Sequence, residues 1–219
     1  MNYTQLTASI KAYCENDFPQ AVGAGGLTSA EQIARFLQQS EQRIYNSIQF
    51  PALRKNVTGN ATASNKYLAT PVDWLATFSL ARINAVGSYE YLLNKDVNFI
   101  REAFPFPATS GAPTHYAIFD ENTFILGPTP DASYSMELHY FYYPTSITTA
   151  GTSWLGDNLD SLLLYGSLLE AAAFMKSEAD VIKNYSDRYN EAFAMGKQLG
   201  DGKDRQDMYR SGQVRYPVR

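Results

Sequence analysis

Asn122–Tyr143, NTFILGPTPDASYSMELHYFYY, opens with an apolar run (Phe124, Ile125, Leu126), breaks at Gly127-Pro128-Thr129-Pro130-Asp131, and resumes as a long alternating segment. In that segment Tyr134, Met136, Leu138, Tyr140 and Tyr142 share one parity; Ser133, Ser135, Glu137, His139, Phe141 and Tyr143 share the other. Successive side chains leave opposite sides of a pleat, so the alternation predicts a half-buried strand with its Tyr/Met/Leu face inward. The break has a physical basis. Two prolines one residue apart cannot donate ladder hydrogen bonds, and Gly and Asp suit turn geometry. The stretch therefore predicts two strands joined as a hairpin.

Upstream of it, short β-prone runs lie around Lys55–Thr58, Lys66–Ala69, Phe78–Ile83, Tyr89–Leu92 and His115–Phe119, with Gly, Pro and Asn between them. This spacing predicts a small antiparallel sandwich or barrel. Asp96–Ala103 (DVNFIREA) fits one short helix packed on its edge. Phe104-Pro105-Phe106-Pro107, followed by Gly111-Ala112-Pro113, predicts an extended exposed loop whose two Phe side chains are either a local plug or a contact for a neighbour.

Helical periodicity flanks the β region on both sides. Asn2–Glu15 carries Leu6, Ile10, Tyr13 and Cys14 on one face, with Asn2 and Gln5 placed as a capping pair. Val22–Gly26 is a Gly-rich loop, but no strand precedes it and no Gly-Lys-Ser/Thr follows, so a phosphate cradle is not expected. Thr28 and Glu31 form a capping box for a helix in which Ile33, Phe36, Leu37, Ile44 and Ile48 recur, ending before Pro51. A third helix starts at Asp157 or Asn158. Its run of Leu, Ala, Tyr165 and Phe174 leaves almost no polar face, which requires burial on all sides. In the fourth, capped by Ser177, Val181, Tyr185, Tyr189, Ala192, Met195 and Leu199 recur at helical spacing, and Gly200-Asp201-Gly202 is expected to close it. The fold class is α+β: a helical bundle from both chain ends (1–52 and 152–199), an inserted β module (53–151), and an extended C-terminal arm (200–219).

Charge divides unevenly along this plan. The net charge is −4, which argues against a general nucleic-acid binder. From Lys197 onward six Lys/Arg face three Asp, an excess of +3 that leaves −7 for the rest. A basic tail on an acidic body suits either an acidic partner or solubility. The 16 tyrosines suit half-buried sheet surfaces and protein interfaces. The single cysteine, Cys14, excludes an internal disulfide and fits a reducing compartment; its helical spacing favours packing over reactivity. The N-terminus lacks the basic start and apolar core of a signal peptide, and no run reaches membrane-spanning length, so a soluble protein made in a cytoplasm is expected.

Catalytic patterns are lacking. His115 and His139 fall on predicted strands, and no HxxxH, CxxC, HExxH or Gly-x-Ser-x-Gly pattern occurs. Asp201, Asp204 and Asp207 are spaced like a weak metal loop, but they lie among Lys203 and Arg205 and lack a calcium-loop pattern. No enzyme activity, metal or cofactor is expected.

Five runs supply a resemblance: QSEQRIYNSIQFPALRKNVTG, YEYLLNKDVNFIREAFP, TFILGPTPDASYSMELHYFYYP, TSWLGDNLDSLLLYGSLLEAAAFMK and GDGKDRQDMYRSGQVR. Together they are similar to the head-to-tail adaptors of tailed bacteriophages, the connector group that includes the tail tubular protein A of short-tailed phages. The resemblance implies a structural virion protein made in the host bacterial cytoplasm. It implies a dodecameric ring in the neck, seated beneath the portal protein and joined to the tail nozzle or tube, with double-stranded DNA passing through the lumen. Arg210, Arg215, Tyr216 and Arg219 are then candidates for portal binding, and Tyr165, Phe104 and Phe106 for a subunit or tail interface. The alternatives are a neck stopper or head-completion protein, and a carbohydrate-binding β module using exposed aromatics.

Overall fold

The structure is a computed structural model that describes residues 1–20, 26–106 and 108–211, with 201–211 described as backbone alone. It divides into two compact units, Met1–Pro51 with the chain from Pro144 onward, and Ala52–Tyr143.

The Ala52–Tyr143 unit is built from two four-stranded sheets. One contains β1 (Arg54–Ala61), β3 (Trp74–Ile83), β4 (Tyr89–Tyr91) and β8 (Tyr134–Tyr142), in the order β1-β8-β3-β4. The other contains β2 (Tyr67–Ala69), β5 (Leu93–Asn94), β6 (His115–Asp120) and β7 (Thr123–Gly127), in the order β2-β7-β6-β5. The core face of β8 is the one expected: Met136, Leu138 and Tyr140 are buried in one cluster with Leu80, Tyr116, Phe124 and Leu126. Trp74 and Tyr116 both meet the Phe124 ring near edge-on, with centroids 5.6 Å away. Such geometry suits the ring quadrupoles.

The expected hairpin is not there. β7 and β8 lie in different sheets, and Gly127–Asp131 carries the chain between them. A strand has two edges to offer; those of β7 are taken by β2 and β6, and those of β8 by β1 and β3. The tight hairpin is instead β6–β7, turning at Glu121-Asn122. Nor is the module wholly antiparallel, since the short β5 runs parallel to β6. The apolar run of β7 has its own reason: α3 (Val97–Ala103), capped by Asp96, covers the outer face with Ile100 against Ala117 and Ile125.

Asp73 closes one end of this unit. Its backbone carbonyl accepts from the Tyr143 N–H (2.8 Å) and its carboxylate from Lys55 (2.5 Å) and Tyr140 (2.8 Å). Desolvation pushes the Asp73 carboxyl up, but the bonds from Lys55 and Tyr140 outweigh it and hold the group below its ordinary value. Tyr140, desolvated and bonded to that carboxylate, is pushed up to about 12.

The helical unit is arranged around α6 (Asp160–Met175), which packs on α1 (Tyr3–Cys14), α2 (Ser29–Ser47), α5 (Trp154–Asn158) and α7 (Ala179–Ser211). Both expected capping boxes form, at Asn2/Gln5 and Thr28/Glu31. Leu6 and Ile10 are buried as expected, whereas Tyr13 stands half out of the surface at 51% exposure. Gln32 is buried and donates to the carbonyls of Pro19 and Leu27, which fixes those two residues against α2. At Gly166 a β-carbon would overlap Ser40 Oγ of α2, so two helices meet where one residue has no side chain. That small-residue contact interrupts the Leu-rich pattern of α6 on the side facing α2.

The chain rejoins this unit at Pro144 rather than after Gly151. The short α4 (Ile147–Ala150) buries Ile147, and the Ile147 N–H donates to buried Glu41 (2.9 Å). Burial raises the Glu41 carboxyl above its ordinary 4.5, opposed by its bonds to Ser146 and Ile147.

The C-terminal helix also departs from expectation. α7 does not close at Gly200-Asp201-Gly202; it continues as backbone helix to Ser211, so no extended arm starts at 200. Each glycine in a helix costs about 1 kcal/mol against alanine, so Gly200 and Gly202 weaken the helix without forcing a stop, and the Lys, Arg, Gln and Met that follow are good helix formers. The rest of the expected arm, 212–219, lies outside the described residues.

Candidate interaction surfaces

The FPFP loop separates its two phenylalanines. Phe104 is half-buried over the Ile100–Ala117–Ile125 cluster, and a β-carbon at Gly127 would come within 2.7 Å of its ring. Phe104 is therefore the plug. Phe106 is 69% exposed, and its carbonyl accepts from the Thr109 N–H (3.0 Å).

A cavity of about 280 Å³ opens between the edge strands β1 and β2. The register explains it. Lys55, Val57 and Gly59 lie opposite Tyr140, Leu138 and Met136, and cross-strand partners share a face, so β1 turns these positions toward the core. Gly59 has no side chain to offer there, and nothing lies within 4 Å of where its β-carbon would be. Leu68, Leu80, Phe124, Met136 and Leu138 line the resulting slot. The sequence held one signal for it, a glycine inside a strand, which often marks close approach of another group.

The outer face of the β1-β8-β3-β4 sheet carries aromatic and charged groups that sequence alternation alone did not single out. The Arg54 guanidinium lies 4.1 Å from the Phe78 ring centroid and 4.9 Å from that of Phe141. His139 meets Phe78 edge-on at 5.1 Å, and desolvation, then Arg54, lowers its pKa. Glu137 accepts from Asn56 Nδ2 (2.9 Å) and Tyr89 OH (3.1 Å), and the latter bond raises the Tyr89 pKa. His115 is likewise taken up in packing, between Phe99 and Phe104.

On the helical unit, Tyr165 is half-buried within a trio of tyrosines. Its ring lies 6.4 Å from Tyr13 and 6.5 Å from Tyr185, whose hydroxyl donates to the Tyr13 carbonyl (3.2 Å). Phe174, at the other end of α6, leans on Phe18 and Phe36 and is 55% exposed. The tyrosine trio and Phe174 form aromatic surface on one unit. Arg210 lies in the last turn of α7 with its side chain outside the described residues; Arg215, Tyr216 and Arg219 lie outside them altogether.

Among the described residues no cluster of His, Cys, Asp and Glu is arranged to hold a metal ion, and no helix is long and apolar enough to cross a membrane. Compared with known families, residues 1–216 match the SU10 adaptor protein family. The chain belongs to that family. No curated protein matches it. As a phage head-to-tail adaptor, the protein has a structural role at the virion neck, with portal and tail components as partners and with oligomerisation as part of assembly. The α+β build and the β module fit the architecture expected from the sequence.

Proposed function

We propose that this adaptor forms a closed ring, dodecameric as the resemblance implies, between the portal and the tail nozzle or tube, and that DNA passes through its lumen. The observation that carries the reading is the family match over nearly the whole chain, residues 1–216. Physical features support it. A ring needs two unlike faces on each subunit, because head-to-tail contacts close a circle. Tyr165 on the helical unit and Phe106 on the β unit are apolar surface for such contacts, while Phe104 is occupied within its own unit. A wall that is acidic or neutral lets DNA slide, since phosphates are held by Lys and Arg. The chain before Lys197 carries −7.

In this reading the basic C-terminal stretch docks on the portal, with Arg210, Arg215, Tyr216 and Arg219 making the contact. Arginine suits bidentate pairing with carboxylates. The test is electron imaging of the purified protein alone and mixed with portal. Ring-shaped density capping the portal is expected. Deleting 212–219 should leave the helical signal and the unfolding midpoint unchanged while abolishing the capped particles. Normal capping by the truncated protein would overturn the docking role, and failure of the full chain to cap portal at all would overturn the ring.

A further inference from the structure

We infer that residues 144–151 form a proton-sensitive strap, clasped to α2 by Glu41 and Gln38, that lifts as pH rises and lengthens the connection behind β8. The strap follows β8 directly, and its one regular element is the single turn α4. An isolated helical turn is unstable in water, so α4 needs an outside partner. α2 supplies it with two side chains one turn apart. Glu41 accepts from the Ile147 N–H (2.9 Å), and Gln38 Nε2 donates to Thr148 Oγ1 (3.1 Å). Ser146 Oγ lies 2.9 Å from Thr148 Oγ1 and also bonds the Glu41 carboxyl, so the two halves of the clasp meet. Ile147 is fully buried, and the Gly151 carbonyl accepts from the Tyr3 N–H (2.9 Å), which closes the far end.

The weak point of the clasp is its carboxyl. Glu41 is 3% exposed, and α2 packs mainly on α4 and α6. α4 has no ionisable residue. α6 carries Asp160, Tyr165 and Glu170, the last paired with Arg43, and α2 itself carries Glu31, Arg35, Arg43 and Tyr45. None of these acts on the Glu41 carboxyl; among the described residues its bonds come from Ser146 and Ile147. An anion with no cation beside it is costly to bury, and a neutral carboxyl far less so. With the proton on, the carboxyl keeps an acceptor for Ile147 and gains a donor for Ser146. With the proton off, lifting the strap returns the charge to water. The proton therefore belongs to the closed strap, whose hold is complete below the ordinary 4.5 and weakens as pH rises through the raised value. Once lifted, 144–151 is a longer tether behind Tyr143, whose own N–H stays bonded to the Asp73 carbonyl.

Amide hydrogen exchange of the full chain between pH 4 and 7, corrected for the intrinsic pH dependence of exchange, tests the strap. The opening constants of the Ile147, Ala150 and Gly151 amides should exceed those of Leu37 in α2 and Leu168 in α6 by about tenfold or more at every pH, because the strap lifts without unfolding the unit. They should also rise about threefold or more over that range. Glu41→Gln keeps an oxygen for Ile147 and should leave the strap amides level with pH. In the wild-type chain, the Glu41 carboxyl carbon followed by NMR should titrate above 4.5, with its midpoint inside the rise in opening; this measurement decides the matter if the variant does not fold. Strap amides as protected as Leu37 and Leu168, an opening that does not grow with pH, the same growth in Glu41→Gln, or a carboxyl midpoint at or below 4.5 would each overturn the strap.

Discussion

Gly166 and Glu41 show how much single side chains decide inside the helical unit. Gly166 lets α2 and α6 approach until Ser40 Oγ occupies the space of a β-carbon, and Ser40 in turn donates to the Leu163 carbonyl. Gly166→Ala should therefore destabilise the protein by about 1–3 kcal/mol through overpacking, despite alanine's better helix propensity. Urea titration followed at 222 nm measures it, and an unchanged midpoint would mean the helices do not meet there. Glu41 is a buried carboxylate that receives the Ile147 N–H, and burial raises its pKa above 4.5. A raised folded-state pKa means that the native chain holds the proton more tightly than the unfolded one. The group's contribution is thus fully present below pH 4.5 and is lost as pH rises through the raised value. Glu41→Gln retains an oxygen for Ile147 but cannot ionise. The stability of wild type minus that of the variant should fall across that window. A flat difference between pH 4 and 7 would show that Glu41 does not titrate in the fold.

At the scale of elements, the missing β7–β8 hairpin and the uninterrupted α7 have one origin. Gly127-Pro128-Thr129-Pro130-Asp131 and Gly200-Asp201-Gly202 carry the same punctuation residues. Such residues report what the backbone tolerates, not whom it pairs with. Pro128 and Pro130 do end a strand, but the chain leaves for the other sheet because both edges of β7 and both edges of β8 have partners. Gly200 permits a stop, yet α7 continues through it, and a β-carbon there would meet Ile48 and the Gln49 carbonyl at an ordinary 3.5 Å. Gly200→Ala should accordingly stabilise the protein by about 0.5–1 kcal/mol and raise its helical signal. Were Gly200 a left-handed cap, the same change would lower both, so circular dichroism and a melting curve separate the cases.

For the whole molecule, the β unit is one uninterrupted stretch, Ala52–Tyr143, with its own buried cluster. The helical unit is made of two stretches that meet only after the β unit has been traversed. A fragment of residues 52–143 should fold alone, with a strand-type dichroism spectrum and a cooperative thermal transition. A fragment that stays unfolded would show that its core depends on the helices. Much of the architecture was legible because local rules act over a few residues: the capping boxes, the amphipathic α2, the inward face of β8 and the apolar α6 each follow from spacing alone. The adaptor family was legible only as a resemblance, carried by five runs that together cover most of the chain. Strand partners, the slot left by Gly59, and the division of labour between Phe104 and Phe106 were decided only in three dimensions. The reason is that periodicity specifies which face of an element must be covered, whereas the identity of the cover depends on residues far away in the chain.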